Sequence, residues 1–307
     1  MILPGSDAAV LRLKGTGKLI ALSTDGPGRL CASDPFIGGQ LAMAESARNV
    51  ACSGARPVAF TNGLNFPNPD RPGNLWRFSE VVRGISFAAR KLGTPVVSGN
   101  VSFYNEHKAR GIDPTPIIGM LGVMDGWKPV AQWFAREGDV VVRLGPARGS
   151  LNASAYQYVM TGRSGGRPAA VDWKHEKAVQ RALVESAKRG LLSSAHDLSD
   201  GGFLVALAEC CVSGADADAP MIGCRVSIKS GRTRLDELMF GEAPSRVIVS
   251  MPESALKTFG KLATASAWAV IGRVGGDSLS VAVDGRARVD LPLARLDWAR
   301  SKPLSFL

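Results

Sequence analysis

A short apolar run, KLIALSTD (Lys18–Asp25), ends in the Gly-Pro-Gly stretch Gly26–Gly28 and predicts a strand entering a tight turn. The period then lengthens. GGQLAMAESARNVACSGARP predicts a helix from about Gly39, stopped by Gly54 with Pro57 just beyond. PVAFTN reads as a short strand. In GNLWRFSEVVRGISFAARKLG, residues Phe78, Val81, Val82, Ile85, Ala88, Ala89 and Leu92 recur at helical spacing. TPVVSGNVS and PIIGMLGVM supply two more strands. Such alternation of strand and helix implies an α/β or α+β layered fold.

The pattern breaks at DGWKPVAQWFAREGD (Asp125–Asp139), where Pro, Gly and two Trp interrupt it. We expect a domain boundary there, separating 1–130 from 131–307. The second part opens with the strand DVVVRLG and a helix over His175–Gly190. SSAHDL (strand) and GGFLVALAECCVSG (helix) follow, then three strand-like runs, SRVIVSMP, AWAVIGRVGG and DSLSVAVDG. Two domains, each α+β, describe the whole.

Composition narrows the class. A length of 307 residues suffices for two cores, and 45% hydrophobic residues fits a globular chain. No apolar run is long enough to span a membrane, and the N-terminus lacks the layout of a secretory signal. Five cysteines with no CxxC pair, two of them adjacent in a helical run, suit reduced buried thiols in a cytoplasm. The net charge of +10 divides evenly: 14 Lys/Arg against 9 Asp/Glu up to Trp133, and 23 against 18 beyond. No tail or run concentrates it, so neither nucleic acid nor membrane is expected as partner; phosphorylated small molecules fit better.

The densest chemistry lies in GTPVVSGNVSFYNE (Gly93–Glu106). Gly99 lets a ligand approach the backbone, Asn100 offers a carbonyl oxygen to magnesium, and Ser102 offers a hydroxyl. Taken alone, GNxS reads more simply as a strand end with a bulge and an Asn turn. TNGLNFPNPDRPG places Asn62, Asn65 and Asn68 after another strand, where open sheets bind ligands, although Asn and Pro are also ordinary turn residues. In SAHDLSDGG, His196, Asp197 and Asp200 sit between a strand and a helix start. They fit a metal or phosphate site, or a plain helix cap. Glu242 and Arg246 of FGEAPSR suggest a structural ion pair. There is no Walker A loop, no GxGxxG and no recognisable nucleophile motif.

Taken together, GTGKLIALSTDGPGR, SDPFIGGQLAMAESARNVACSGARPVAFTNGLNFPNP, LGTPVVSGNVSFYNE, AHDLSDGGFLVALAE, FGEAPSRVIVS and VIGRVGGDSL closely resemble the synthetase subunit of phosphoribosylformylglycinamidine synthase. The likeness covers nearly the whole chain but only the C-terminal half of that tandemly duplicated subunit. It implies an aminoimidazole-ribonucleotide-synthetase-like α+β unit: an A-type sheet domain that pairs into a shared barrel, then a B-type α+β domain. It also implies that ATP phosphorylates the amide oxygen of formylglycinamide ribonucleotide and that ammonia from a glutaminase subunit or domain displaces the phosphate. On matching positions, Asn62 and Gly99 would touch ATP, Asn100 would ligate Mg²⁺ and Ser102 would hold substrate. His196, Asp197 and Asp200 would belong to a second nucleotide or metal site.

The departures are informative. The family's histidine base belongs to the first half, and the equivalent stretch here, STDGPGRL, has none, so no catalytic residue is expected in this chain. Asn49 stands where the first half carries a metal-binding Asp, and Ala155 replaces an acidic residue. The expectation is therefore half of an ATP-dependent carbon–nitrogen ligase, inactive alone and self-associating for want of the N-terminal half. The alternatives are a non-catalytic nucleotide-binding module, or a complete smaller relative such as aminoimidazole ribonucleotide synthetase.

Overall fold

The computed structural model describes residues 6–301 except 109 and 214–218. Two sheets account for most of the strands. The first has the order β1 (Ala9–Arg12), β2 (Lys18–Asp25), β7 (Thr115–Asp125), β3 (Arg56–Asn65) and β4 (Val96–Ser102). Its pairings are antiparallel except β3 with β4, which the helix α3 (Asn74–Leu92) joins as a parallel crossover. A two-stranded ribbon, β5 (Glu106–His107) and β6 (Arg110–Gly111), follows β4.

Along β7 the even-numbered residues Pro116 to Met124 are buried, facing α2 (Pro35–Cys52) and α3, while the odd positions turn the other way. On that second face Leu11, Leu22 and Ile117 remain 47%, 41% and 39% exposed. The sheet is thus finished on one side only.

The helix α2 begins at Pro35, four residues before the expected start. Asp34 caps it by accepting from the Ile37 amide, and Pro35 occupies the first turn. Gly38 and Gly39 lie inside the helix because neighbours press against them. A Cβ on Gly39 would sit 2.5 Å from the Val81 carbonyl, and one on Gly84 of α3 would sit 2.3 Å from the Phe36 carbonyl. Fifteen of the 18 residues of α2 are buried, so the helix is enclosed on all sides.

No regular element lies between Asp125 and Val140. The second sheet then runs β14 (Arg286–Pro292), β13 (Ser278–Val283), β10 (Cys224–Ile228), β12 (Trp268–Val274), β8 (Val140–Leu144), β11 (Val247–Met251) and β9 (Ser194–Asp197). Only β10 and β13 pair in parallel. One face is covered across most strands; the other is covered over β8, β11 and β9, while Trp268 and Val270 of β12 stay 37% and 46% exposed beside it. Val142, Leu144, Val247 and Val249 pack with Val179, Ala182 and Leu183 of α5 (Trp173–Lys188). Val141, Ile248, Leu279 and Val281 pack with Phe203 and Leu207 of α6 (Gly202–Val212). That is why β8 and β11 read as unbroken apolar runs. Ala51 and Cys52, at the end of α2, belong to the α5 side of this second core. No described helix is long and apolar enough to cross a membrane.

Candidate functional site

The residues singled out in the sequence fall in two places. At the first, Asn62 on β3 stands beside Gly99 on β4, and Gly63 beside Asn100, in parallel register. A Cβ on Gly99 would lie 2.5 Å from Asn62 Oδ1, so only glycine lets this amide lie across the edge strand. Alternation puts Asn62 and Gly99 on the helix-covered face, and Asn100, Ser102 and Asn65 on the bare one. The Ser102 hydroxyl meets the Asn105 side chain, which also bonds the Ser102 and Phe66 carbonyls. The three asparagines of the TNGLNFPNP loop do not share a crevice. Asn62 and Asn65 point to opposite faces, and Asn68 closes a turn by accepting from the Asp70 amide. The whole of β4 is solvent-facing, with Val97 68% exposed.

At the second place, the sequence set of His196, Asp197 and Asp200 is pulled apart. Neighbouring residues of a strand face opposite ways, and here each found its own partners. His196 Nδ1 lies 2.6 Å from Asp7 Oδ1 and its Nε2 2.9 Å from Glu209 Oε2. Burial opposes its charge, but Asp7 and Glu209 outweigh burial and hold the imidazole well above its usual range. Asp197 is buried against Arg48 of α2, accepting from Nη2 at 3.1 Å and from Nε. Arg48 Nη1 reaches Glu176 at 3.0 Å, which also accepts from Ser245 and Gln180. Of the three, only Asp200 reaches the open cleft.

There it joins residues the sequence did not single out as a group. Arg29, on the short helix α1 (Gly28–Ser33), donates to Asp200 at 2.7 Å and to the Ala153 carbonyl at 2.9 Å, and lies 3.8 Å from Glu242. Glu242 Oε1 accepts from the amides of Ala155 and Gly201, both at 2.8 Å. The expected Glu242–Arg246 pair does not form. Between them the chain bends at Pro244 and Ser245, the latter with φ +63°, and buried Arg246 donates instead to the Gly241 carbonyl at 2.7 Å. Burial, with Asp200 nearby, pushes Glu242 up to about 7, and burial, with the Arg143 charge adding to it, lowers Arg246 to about 10.

Asp25 and Glu45 complete the cleft, which opens into a cavity of about 250 Å³ lined also by Gly26–Arg29 and Asp200. Burial raises both carboxyls, Glu45 well above the usual range with Asp25 and Asp197 adding to it. Asp25 is fixed by Ser46 Oγ at 2.5 Å and by Asn49 Nδ2 at 2.8 Å, so the Asn49 amide serves here as a donor.

Carboxylate oxygens are donors that hard cations prefer. The donor chemistry therefore suits a hard ion, but the geometry does not close around one. Among the described residues no three acidic, His or Cys side chains converge on one point. Among the described residues the cleft therefore offers no complete magnesium site of its own.

Comparison with known proteins places this geometry. The model of the AIR synthase related protein N-terminal domain matches residues 5–124, and that of the C-terminal domain matches residues 136–284. A phosphoribosylformylglycinamidine synthase subunit PurL from Anaeromyxobacter sp. is 46% identical over 306 residues, covering 95% of this chain and 39% of its own length. The chain therefore spans about two fifths of the curated relatives it matches. The Thermotoga maritima PurL, solved in complex with FGAR, superposes with a TM-score of 0.78 at 20% identity, over 96% of this chain and 48% of that one. A Thermus thermophilus protein, tt0281, superposes at 0.62 and 22% identity over 94% of this chain and 91% of that one.

Proposed function

The chain belongs to the AIR synthase related proteins, in the branch of phosphoribosylformylglycinamidine synthase subunit PurL, and from that premise we propose that it is the C-terminal half of such a synthetase. The reaction is the ATP-dependent conversion of formylglycinamide ribonucleotide to formylglycinamidine ribonucleotide with glutamine-derived ammonia. The observation that carries this reading is a sheet bare on one face, in a chain that matches 39% of its relative's length. A face with Leu11, Leu22 and Ile117 exposed accepts a second sheet, and the N-terminal half of such a synthetase supplies one.

The A-type unit ends and the B-type unit begins at 130/131 in this reading. Asn62 and Gly99 contact ATP, Ser102 holds the substrate, and Asn100 contributes one oxygen to Mg²⁺ whose other ligands lie outside this chain. The metal would supply charge neutralisation at the transferred phosphoryl group. Proton transfer belongs to a base in the N-terminal half, and a glutaminase delivers ammonia. Without its partner the chain self-associates through the bare face, and the five free buried cysteines suit a cytoplasmic setting. Of the second nucleotide or metal site expected at His196, Asp197 and Asp200, Asp200 alone borders the seam cleft, and any such site in this chain is centred there.

A second reading is favoured by the failure of the cleft carboxylates to converge. In it the chain is a nucleotide-binding module without chemistry of its own. Phosphate release from MgATP, formylglycinamide ribonucleotide and ammonium chloride separates the two. No turnover by this chain alone, with turnover on adding the family's N-terminal half, is the expected result. Silence in both mixtures leaves the module reading, and turnover by the chain alone overturns the half-site assignment.

A further inference from the structure

The positive charge that is even along the sequence is gathered in space. Every fully exposed side chain of α5 is a cation: Lys174, Lys177, Arg181 and Lys188. Spaced three, four and seven residues apart, they form one ridge along about 21 Å of helix. The ridge borders two adjoining clefts of about 360 and 590 Å³ that share Lys177 and Arg181. Arg56 and Lys91 close the opposite side, from the start of β3 and the last turn of α3. None of Arg56, Lys91, Lys174, Lys177 and Arg181 has an ion-pair partner among the described residues. Glu185 is the single acid in either lining.

Five cations without an ion-pair partner among the described residues, Lys91 resting over the Phe87 ring at 5.1 Å, repel each other around one groove, and the groove gains by admitting negative charge. What form the charge takes follows from the rest of the lining. A compact phosphate is best held by free backbone amides at a helix start. The first-turn amides of α5 are already taken, since Asp172 accepts from the Lys174 and His175 amides. The other helix end at the groove, that of α3 at Leu92, presents carbonyls. A nucleic-acid strand needs exposed rings on which to stack bases. The ring here, Trp173, is 9% exposed and its indole N–H is bonded to Gln40 at 3.1 Å. The remaining floor is aliphatic, with Val58, Leu92 and Val184.

Cations on long stems above an aliphatic floor match an extended chain that alternates carboxylates with apolar side chains. We propose that this groove docks an acidic, amphipathic segment of a partner polypeptide, about six residues long if extended along the ridge. Arg56 alone comes from the bare-face side, at the start of β3; the exposed Leu11, Leu22 and Ile117 and the seam cleft do not line the groove, so the interaction is separable from the proposed synthetase reaction.

The test uses the purified chain and a short fluorescein-labelled peptide alternating Glu with Leu and Ser, followed by fluorescence anisotropy. Binding is expected at low ionic strength and to weaken steeply with salt. K177E/R181E is expected to weaken it by about tenfold or more, which is 1.4 kcal/mol or more. R286E/R288E, an equal charge change on exposed β14 positions, is expected to leave it within about twofold of the original. Zero-length carbodiimide coupling locates the contact independently, with peptide carboxyls expected on Lys91, Lys174 or Lys177. Absence of binding at low salt overturns the proposal, as does equal loss in both double variants. Tighter binding of single-stranded DNA or inorganic tripolyphosphate than of the peptide, lost in K177E/R181E, also overturns it in favour of that other ligand.

Discussion

The two sheets of this chain were built to different degrees of completion. The seven-stranded sheet has helices on both faces over β8, β11 and β9, and its strands β8 and β11 are buried almost end to end. The five-stranded sheet has helices on one face, exposed leucines on the other, and an edge strand, β4, open along its length. A sheet that satisfies itself supplies stability, and one that does not supplies an interface. Of the residues proposed to meet ligands, Asn100 and Ser102 lie on the bare face of the unfinished sheet and Asn62 and Gly99 on its covered face, so assembly on the bare face would bear on the first pair.

The largest expected effect probes the seam between the sheets. Arg48→Met would leave Asp197 and Glu176 buried without their cation. It should cost about 3–5 kcal/mol in urea denaturation. A loss confined to signals from one sheet would show that the two are less coupled than Arg48 implies.

Next comes the finished sheet itself. Leu279→Ala, in a fully buried position on β13, should cost about 2–5 kcal/mol. A smaller loss would mean that the covered faces are looser than their burial indicates.

Glu242 gives the comparison a pH axis. Its carboxyl binds a proton more tightly folded than unfolded, so its contribution is full below about pH 4.5 and is lost as pH rises through about 7. The decline amounts to roughly 3 kcal/mol at most, and Glu242→Gln should flatten it in a series of melts between those pH values.

The smallest effect on stability, and the most diagnostic, is on the open face. Leu22→Ala should change the stability of the isolated chain by less than about 0.5 kcal/mol. It should nevertheless weaken self-association in light scattering. A stability loss as large as that at Leu279 would mean that the face is already covered.

Most strands and the long helices were legible because burial imposes a period on the sequence. Where one face lies in solvent the signal fades. RARVDLP in β14 alternates charge with small apolar residues on an edge, and AVLR in β1 is four residues long. The start of α2 was obscured by Gly38 and Gly39, which look like breakers but are contact points for neighbouring backbone. The site was less legible than the fold. His196 and Asp197 are adjacent in sequence yet diverge because they lie on a strand. Glu242 and Arg246 are spaced as helical partners but separated by a bend at Pro244 and Ser245. The cleft at Asp25, Glu45 and Asp200 is assembled from segments far apart in sequence, a juxtaposition that no local pattern records.

The enclosure of α2 has a consequence for how the molecule comes apart. Its last turn is packed into the core beneath α5, and its Arg48 is ion-paired to α5 and β9. Proteolytic nicking anywhere in 126–139 would therefore release no free domain, since the non-covalent grip remains. The two fragments should co-elute and separate only in denaturant, and neither should refold in the absence of the other.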